Sequence, residues 1–114
     1  MTEKEILVTS EEAFDGLVAW DANQLVLFTA PAWCIPCRQF EPHWEKAQQV
    51  EALEHFFFVK VDMGQSPEAT GEHWATKRFG IRGVPQLLLW KVGATEPVVV
   101  KARSIVPLIK ELNT

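Results

Sequence analysis

Two cysteines are the most reactive side chains of this sequence, and they stand two residues apart in the segment Trp33-Cys34-Ile35-Pro36-Cys37. The chain has two cysteines in total. Two intervening residues place the sulfurs about one helical turn apart, which is close enough for them to bond. Such a pair could exchange disulfides, supply half of a metal site, or form two buried structural thiols.

The position of the pair along the chain favours disulfide exchange. Residues 25–28 form a continuous apolar run, typical of a strand buried on both faces. The spacing of Phe40 and Trp44 then predicts a helix that begins at about Cys34. The unpaired N–H groups of a helix start favour an anion, so we expect the pKa of Cys34 to fall below the free value of about 8.5. Cys37 lies one turn inside the helix, where it is better shielded and can resolve a mixed disulfide.

The two other uses of the cysteine pair have less support. A zinc site would need two more Cys or His ligands. His43 falls on a different face of the same predicted helix, and His55 and His73 are isolated in the sequence. We therefore predict no metal site. Buried structural thiols remain an alternative, although the polar flanks of the loop between Pro31 and Arg38 argue against them.

Composition predicts one globular domain over residues 1–114, since 47% of the residues are hydrophobic and 23% are charged. The net charge is -4, and the basic residues form no cluster. Nucleic-acid binding is therefore not expected, because phosphate contacts need clustered Lys or Arg.

The apolar segments predict neither a membrane protein nor a secreted one. No apolar segment approaches the roughly 20 residues that span a bilayer. No basic stretch followed by an apolar run appears near Met1, so no secretory signal is visible. By default we expect a cytoplasmic location, where cysteines stay reduced and a close pair is more often catalytic or metal-binding than structural.

Hydrophobic periodicity predicts nine elements in the order β-α-β-α-β-α-β-β-α. The strands are predicted at 6–8, 25–28, 56–61, 86–90 and 98–101, and the helices from Thr9, from Cys34, over 66–79 and over 104–112. The first part alternates as parallel βαβ units do, whereas a turn at Gly93 and Ala94 makes the last two strands an antiparallel hairpin. The expected fold is α/β, with a central mixed five-stranded sheet flanked by helices on both faces.

Residues at the ends of these helices support the assignment. Thr9, with Glu12 three residues later, fits a capping box at the start of the first helix. Gly80 is a typical terminator for the helix over 66–79, and Ser104 is expected to cap the last helix.

Together these segments resemble the thioredoxin family over nearly the whole chain. The matching parts are the strand 25–28, the Cys-Ile-Pro-Cys motif with Pro42 five residues later, the strand 58–62, and the segment 77–90, which contains Ile81-Arg-Gly-Val-Pro85. The cysteine motif combined with Ile81-Arg-Gly-Val-Pro85 before an apolar strand is far more specific than either alone.

The resemblance implies roles around the cysteines. Cys34 would be the nucleophile and Cys37 the resolving thiol of a redox-active disulfide. Trp33 would flank the site, and Ile35 and Pro36 would lie between the two sulfurs. The implied activity is reduction of disulfides in other proteins through a mixed-disulfide intermediate.

The resemblance also implies how substrate and electrons arrive. Pro85 would be a cis-proline that faces the cysteines, and Val84 would offer its backbone to an extended substrate segment. The domain would need no bound cofactor, since electrons would come from an NADPH-dependent reductase of the thioredoxin-reductase type. A monomer is expected.

Two departures from the family lie close to the cysteines. Ile35 stands where thioredoxins usually have glycine. The family's buried aspartate, a proton acceptor for the second thiol, is replaced by Leu27 or Phe28, depending on where the gap is placed. We therefore expect Cys37 to lack its usual base and to resolve mixed disulfides slowly, because a buried thiol keeps a high pKa.

Two further departures affect the surroundings of the site. The segment from Asp62 to Pro85 is longer than in most thioredoxins. A late glycine that usually borders the substrate groove is absent, with Ala102 or Arg103 near its place. These changes leave two other functions open, namely a reductant dedicated to one partner and a binding module or accessory subunit in which thiol chemistry is incidental.

Overall fold

A computed structural model describes residues 5–113 of the chain. Its five strands are Glu5–Val8 (β1), Asn23–Thr29 (β2), Phe56–Asp62 (β3), Gln86–Trp90 (β4) and Val98–Val100 (β5). They form one sheet in the order β1-β3-β2-β4-β5. β3 pairs in parallel with β1 and β2, while β4 runs antiparallel to β2 and β5. The predicted mixed five-stranded sheet is thus confirmed.

The helices cover both faces of this sheet. They are Glu11–Val18 (α1), Ile35–Ala47 (α2), Pro67–Glu72 (α3), Trp74–Phe79 (α4) and Ile105–Leu112 (α5), with a short 3-10 turn at Glu51–Leu53. Side chains of β2 alternate between the faces. Leu25 and Leu27 pack with α2 and α5, whereas Val26 and Phe28 pack with α1 and α4. α2, which begins at the cysteine pair, is therefore anchored on the most buried strand.

The first predicted cap is wrong by one residue. Ser10, not Thr9, is the N-cap of α1, and its side chain accepts a hydrogen bond from the N–H of Ala13. At the last helix, Ser104 occupies the N-cap position without a side-chain hydrogen bond. Instead, Nδ1 of His43 accepts the N–H of Ile105 at 3.2 Å, so a helix-surface histidine does the capping.

The helix predicted over residues 66–79 is in fact two helices. His73 has an extended backbone (φ -65°, ψ 147°) that ends α3, and its Nδ1 accepts the N–H of Ala75, which starts α4. The hydrophobic spacing does not reveal this break, because the capping group is a histidine ring rather than a typical Ser, Thr, Asn or Asp cap. Gly80 ends α4 in the left-handed region, as predicted.

Within residues 5–113, no helix has the length and the apolar character that crossing a bilayer requires.

Phe14 is the centre of the core on the α1 face. It is fully buried and contacts the rings of Phe28, Trp74, Phe79 and Trp90, with centroid separations of 5.3–6.3 Å. Truncating such a side chain removes both its burial and its ring contacts.

We expect Phe14→Ala to lower the free energy of unfolding by about 3–5 kcal/mol, measured by urea denaturation. Phe57→Ala is the matched control, since Phe57 is 41% exposed. Phe57→Ala should lower the free energy of unfolding by about 1 kcal/mol or less. Equal losses in the two variants would show that Phe14 does not organise this half of the core.

The cap at His73 predicts a pH dependence of stability. Burial lowers the pKa of His73 from its ordinary value, and the charge of Asp62 offsets this only in part. A histidine with a lowered pKa stabilises the fold above its unfolded value of about 6.5, and this stabilisation is lost as the pH falls through that value toward the folded pKa.

His73→Asn keeps a side-chain cap but does not titrate. We expect the difference in unfolding free energy between wild type and His73→Asn to shift in favour of the variant as the pH drops below about 6.5. The measurement is urea denaturation at several pH values. A difference that does not change with pH would contradict this role.

Candidate functional site

Cys34 occupies the N-cap position of α2, and its backbone is extended (φ -101°, ψ 110°). Its Sγ accepts a hydrogen bond from the N–H of Cys37 at 3.1 Å. The two residues form a disulfide, with Cα atoms 5.2 Å apart. Cys34, the nucleophile that the sequence predicts, is therefore the cysteine whose sulfur accepts a backbone N–H group of the first helical turn. Only 4% of Cys34 and 1% of Cys37 are exposed.

The loop between β2 and α2 is held by hydrogen bonds to its own carbonyl groups. The carbonyl oxygen of Ala30 accepts the N–H groups of Trp33 and Cys34 at 3.2 and 3.0 Å. Arg38 donates to the carbonyl oxygens of Pro31 and Ala32 at 2.6 and 2.8 Å. Sequence reasoning did not assign Arg38 this role, since an arginine after the cysteine pair gives no sign of which carbonyls it will reach.

The loop before β4 forms the opposite wall of the site. The Val84–Pro85 peptide bond is cis, which is the isomer that the resemblance to the thioredoxin family implies for Pro85. The carbonyl oxygen of Val84 lies 3.4 Å from Sγ of Cys34. Val84 precedes Gln86, the first residue of the β2–β4 ladder, and lies outside that ladder. The structure thus brings together the cysteine pair and both residues predicted to meet the substrate.

Trp33 is tied to the long segment that follows β3. Its indole Nε1–H donates to Oγ1 of Thr70 in α3 at 3.0 Å. The carbonyl oxygen of Thr70 accepts in turn from the hydroxyl of Thr76 in α4 at 2.7 Å. Thr70 is a site residue that the sequence did not reveal, because its distance from the cysteines in the chain hides the contact.

Two clefts open beside the cysteines. One, with a volume of about 410 Å³, is lined by Pro36, Gln39, Phe40, His43, Pro85 and Arg103. The other, of about 250 Å³, lies between Trp33, the α3–α4 segment and residues 81–84. One cleft is lined by Pro85 and the other by Val84, so both border this cis peptide bond.

Arg103 borders the larger cleft, and it is one of the two residues, with Ala102, near the place of the family's late glycine. It donates to the carbonyl oxygens of Val100 at 2.8 Å and of Pro85 at 3.2 Å. Burial lowers the pKa of Arg103 below its ordinary value, against the attraction of Glu111. A cationic side chain thus fixes the loop that carries the cis-proline.

Leu27 is the residue under the cysteine helix. It is fully buried and packs with Phe40 and Trp44 of α2, whereas Phe28 faces the opposite side of the sheet. The choice that the sequence left open between the two positions is therefore settled by the direction of their side chains. An apolar residue stands where the family places its buried aspartate.

A lysine on the neighbouring strand shares this face of the sheet. Lys60 of β3 pairs with Leu27 in the β2–β3 register. Its Nζ lies 3.0 Å from Oε1 of Glu41 on α2 and 3.4 Å from Oε1 of Glu5 on β1. Burial by itself would lower the pKa of Lys60, but the hydrogen bonds and charges of the two carboxylates outweigh it and raise the pKa. The ammonium group is thereby kept charged beneath α2.

Across residues 5–113, no three His, Cys, Asp or Glu side chains come together in a way that could hold a metal ion.

Comparison with known proteins agrees with this geometry. The family model for thioredoxin matches residues 5–114. A thioredoxin of Listeria monocytogenes is 32% identical over 103 residues, which cover 90% of this chain and 86% of that protein. Protein disulfide-isomerase erp38 of Neurospora crassa is 32% identical over 108 residues, 93% of this chain but 28% of that protein. The chain thus spans less than a third of that disulfide-isomerase.

Solved structures show the same fold. The thioredoxin of Malassezia sympodialis superposes with a TM-score of 0.73 at 23% identity, covering 96% of this chain and 87% of that one. The likeness at this identity concerns the fold, while the family match and the disulfide at the Cys-x-x-Cys position concern the site. On these grounds the chain belongs to the thioredoxin family, and its Cys34–Cys37 disulfide occupies the family's Cys-x-x-Cys position.

Proposed function

We propose that this protein reduces disulfides in other proteins, with Cys34 as nucleophile and Cys37 as resolving thiol. One observation carries the proposal, namely that Sγ of Cys34 faces the N–H of Cys37 on one side and the carbonyl oxygen of Val84 on the other, at 3.1 and 3.4 Å. The N–H of Cys37 can therefore stabilise the Cys34 thiolate, and the backbone of Val84 beside it can pair with an extended substrate peptide.

The reaction needs two exchanges. The Cys34 thiolate attacks a substrate disulfide, forms a mixed disulfide and releases one substrate thiol. The Cys37 thiolate then attacks Sγ of Cys34, and the electron pair of the broken bond leaves on the second substrate sulfur, which takes up a proton. Two electrons pass from the dithiol to the substrate, and the Cys34–Cys37 disulfide remains.

The clefts give a substrate peptide its place. An extended segment paired with the backbone of Val84 would send alternate side chains toward opposite sides. The cleft at Pro85 and Arg103 and the cleft at Trp33 and Val84 support this arrangement, because two separate clefts beside Val84 could each receive a side chain of such a segment.

The proposed function includes an electron donor, an oligomeric state and a cellular location. We expect an NADPH-dependent reductase of the thioredoxin-reductase type to reduce the Cys34–Cys37 pair, and we expect the protein to act as a monomer in the cytoplasm. Gel filtration, cell fractionation and turnover with such a reductase test these three expectations separately.

The helix start predicts unequal reactivity of the two thiols. In the reduced protein, iodoacetamide should modify Cys34 well before Cys37, with a titration midpoint for Cys34 below the free value of about 8.5. The Cys34→Ser variant, in which Cys37 alone remains, should react slowly. Equal rates of modification in Cys34→Ser and in Cys37→Ser, which keeps Cys34 alone, would contradict the assignment of Cys34 as the nucleophile.

Removal of the resolving thiol should trap the substrate. Cys37→Ser is expected to accumulate a mixed disulfide on Cys34, seen by mass spectrometry with a disulfide-containing peptide, while its turnover of insulin falls to background. Cys34→Ser should form no adduct. An adduct that Cys37→Ser releases as fast as wild type does would overturn the resolving role.

A reductant dedicated to one partner is the second candidate. Ile35, in place of the family's glycine, is 61% exposed at the mouth of the site, and Thr70 of the lengthened segment holds Trp33. A dedicated reductant should turn over insulin poorly, and Ile35→Gly should raise that turnover. A binding module would instead keep its partner activity when both cysteines are replaced by serine.

A further inference from the structure

One oxygen of Glu41 is buried without a hydrogen-bond partner among the described residues. Oε1 of Glu41 accepts from Nζ of Lys60 at 3.0 Å, whereas Oε2 has no partner and is closed off from solvent. An unpaired buried carboxylate oxygen costs free energy unless something uses it. It is also a site that can accept a proton.

The helix places this carboxylate beside the resolving thiol. Glu41 follows Cys37 by four residues in α2. Residues so spaced share a helix face, with Cβ atoms about 5–6 Å apart. The bond to Lys60 draws the Glu41 side chain toward β3, and Cys37, which shares this face of α2 by its spacing, is 1% exposed. The thiol and the carboxylate are therefore within reach of each other, directly or through one water molecule.

The charges around the carboxylate are few. Lys60 faces it from β3, and Glu5 of β1 contacts the same lysine. Oε1 of Glu5 also accepts the indole N–H of Trp44 at 2.7 Å, so hydrogen bonds occupy that oxygen. Leu27 of β2 is the apolar residue opposite Lys60 in the sheet. Of the two carboxylates, Glu41 is thus the one that combines a free buried oxygen with a place next to Cys37.

We propose that Glu41 is the proton acceptor for Cys37, in the role that the family gives to an aspartate and that neither Leu27 nor Phe28 can fill. This inference rests on the proposed dithiol chemistry. In the mixed disulfide, the S–H proton of Cys37 passes to Oε2 of Glu41, and the thiolate attacks Sγ of Cys34. The bond from Cys34 to the substrate breaks, and the substrate sulfur leaves with the electron pair and is protonated by solvent. When the pair is reduced again, the proton returns from Glu41 to Cys37.

Lys60 is a positioning residue in this step. Its ion pair with Glu41 holds the carboxylate under the helix, and its second ion pair, with Glu5, ties the lysine to β1. The acceptor is thus carried by the cysteine helix, and the sheet contributes the cation that holds it.

The test is the pH profile of resolution in Glu41→Gln. The mixed disulfide between Cys34 and a peptide thiol is formed first, and release of the peptide is followed by stopped flow. We expect E41Q to release it about 100-fold more slowly than wild type near neutral pH. The E41Q rate should rise steadily with pH, as solvent base replaces the carboxylate, while the wild-type rate changes little over the neutral range.

Glu45→Gln is the matched control, because Glu45 is an exposed glutamate of the same helix. It should resolve at the wild-type rate with the wild-type pH profile. If E41Q does not fold, as judged by circular dichroism, Glu41→Asp takes its place, and its shorter side chain should give a slower, more pH-dependent resolution than wild type.

The two proposals fail in different ways. An E41Q or Glu41→Asp protein that forms the mixed disulfide normally and resolves it at the wild-type rate, with the wild-type pH profile, would overturn the role of Glu41 and leave the dithiol function intact. A wild-type protein that forms no mixed disulfide on Cys34 would overturn the proposed function itself, and the role of Glu41 with it.

Discussion

The structure depends on the start of one helix. The first turn of α2 has backbone N–H groups with no helical partner, and one of them, from Cys37, is donated to Sγ of Cys34. This contact supports Cys34 as the proposed nucleophile, because a sulfur that receives a hydrogen bond at the positive end of a helix is easier to ionise. The second cysteine follows one turn later and is almost fully buried.

Much of the remaining structure holds that helix start in place. β2, buried along its length, brings the chain to the loop in which Ala30 and Arg38 fix the approach to Cys34. β4 brings the cis Val84–Pro85 bond to the other side of the sulfur. Two non-adjacent segments thus meet at one atom because β2 and β4 are antiparallel neighbours in the sheet. The edge strands take no part in this contact.

The layer of side chains between α2 and the sheet contains a buried carboxylate that comes from the helix and not from the central strand β2. β2 contributes the apolar Leu27 to this face, and the only cation that contacts Glu41 among the described residues is Lys60. The carboxylates that pair with this lysine come from α2 and β1 instead of β2. The fold tolerates a carboxylate on α2 in place of one on β2, because side chains of the helix and of the strand fill the same space between α2 and the sheet.

The amino-acid sequence by itself determined the fold class and the reactive pair, whereas the cis isomer of the Val84–Pro85 bond was decided only by the structure. Apolar runs indicate strands and a 3.6-residue spacing of apolar residues indicates helices. Both patterns lie within short segments of the sequence, so they can be identified without the tertiary structure. The cysteine pair was found in the same way, since its spacing and its place after a strand are properties of a short segment, whereas Pro85 was assigned through the resemblance to the thioredoxin family.

The tertiary structure alone decided the contacts between distant segments. The break at His73, the cap that His43 gives to α5, the bond from Trp33 to Thr70 and the buried carboxylate of Glu41 all depend on where a side chain points in the folded chain. Local sequence does not encode such directions, because they are selected by packing against residues that lie many positions away. The missing acidic residue shows the same difference. The sequence shows only that Leu27 or Phe28 stands in its place, and the packing of α2 on the sheet shows that Leu27 faces the helix and that Glu41 lies nearby.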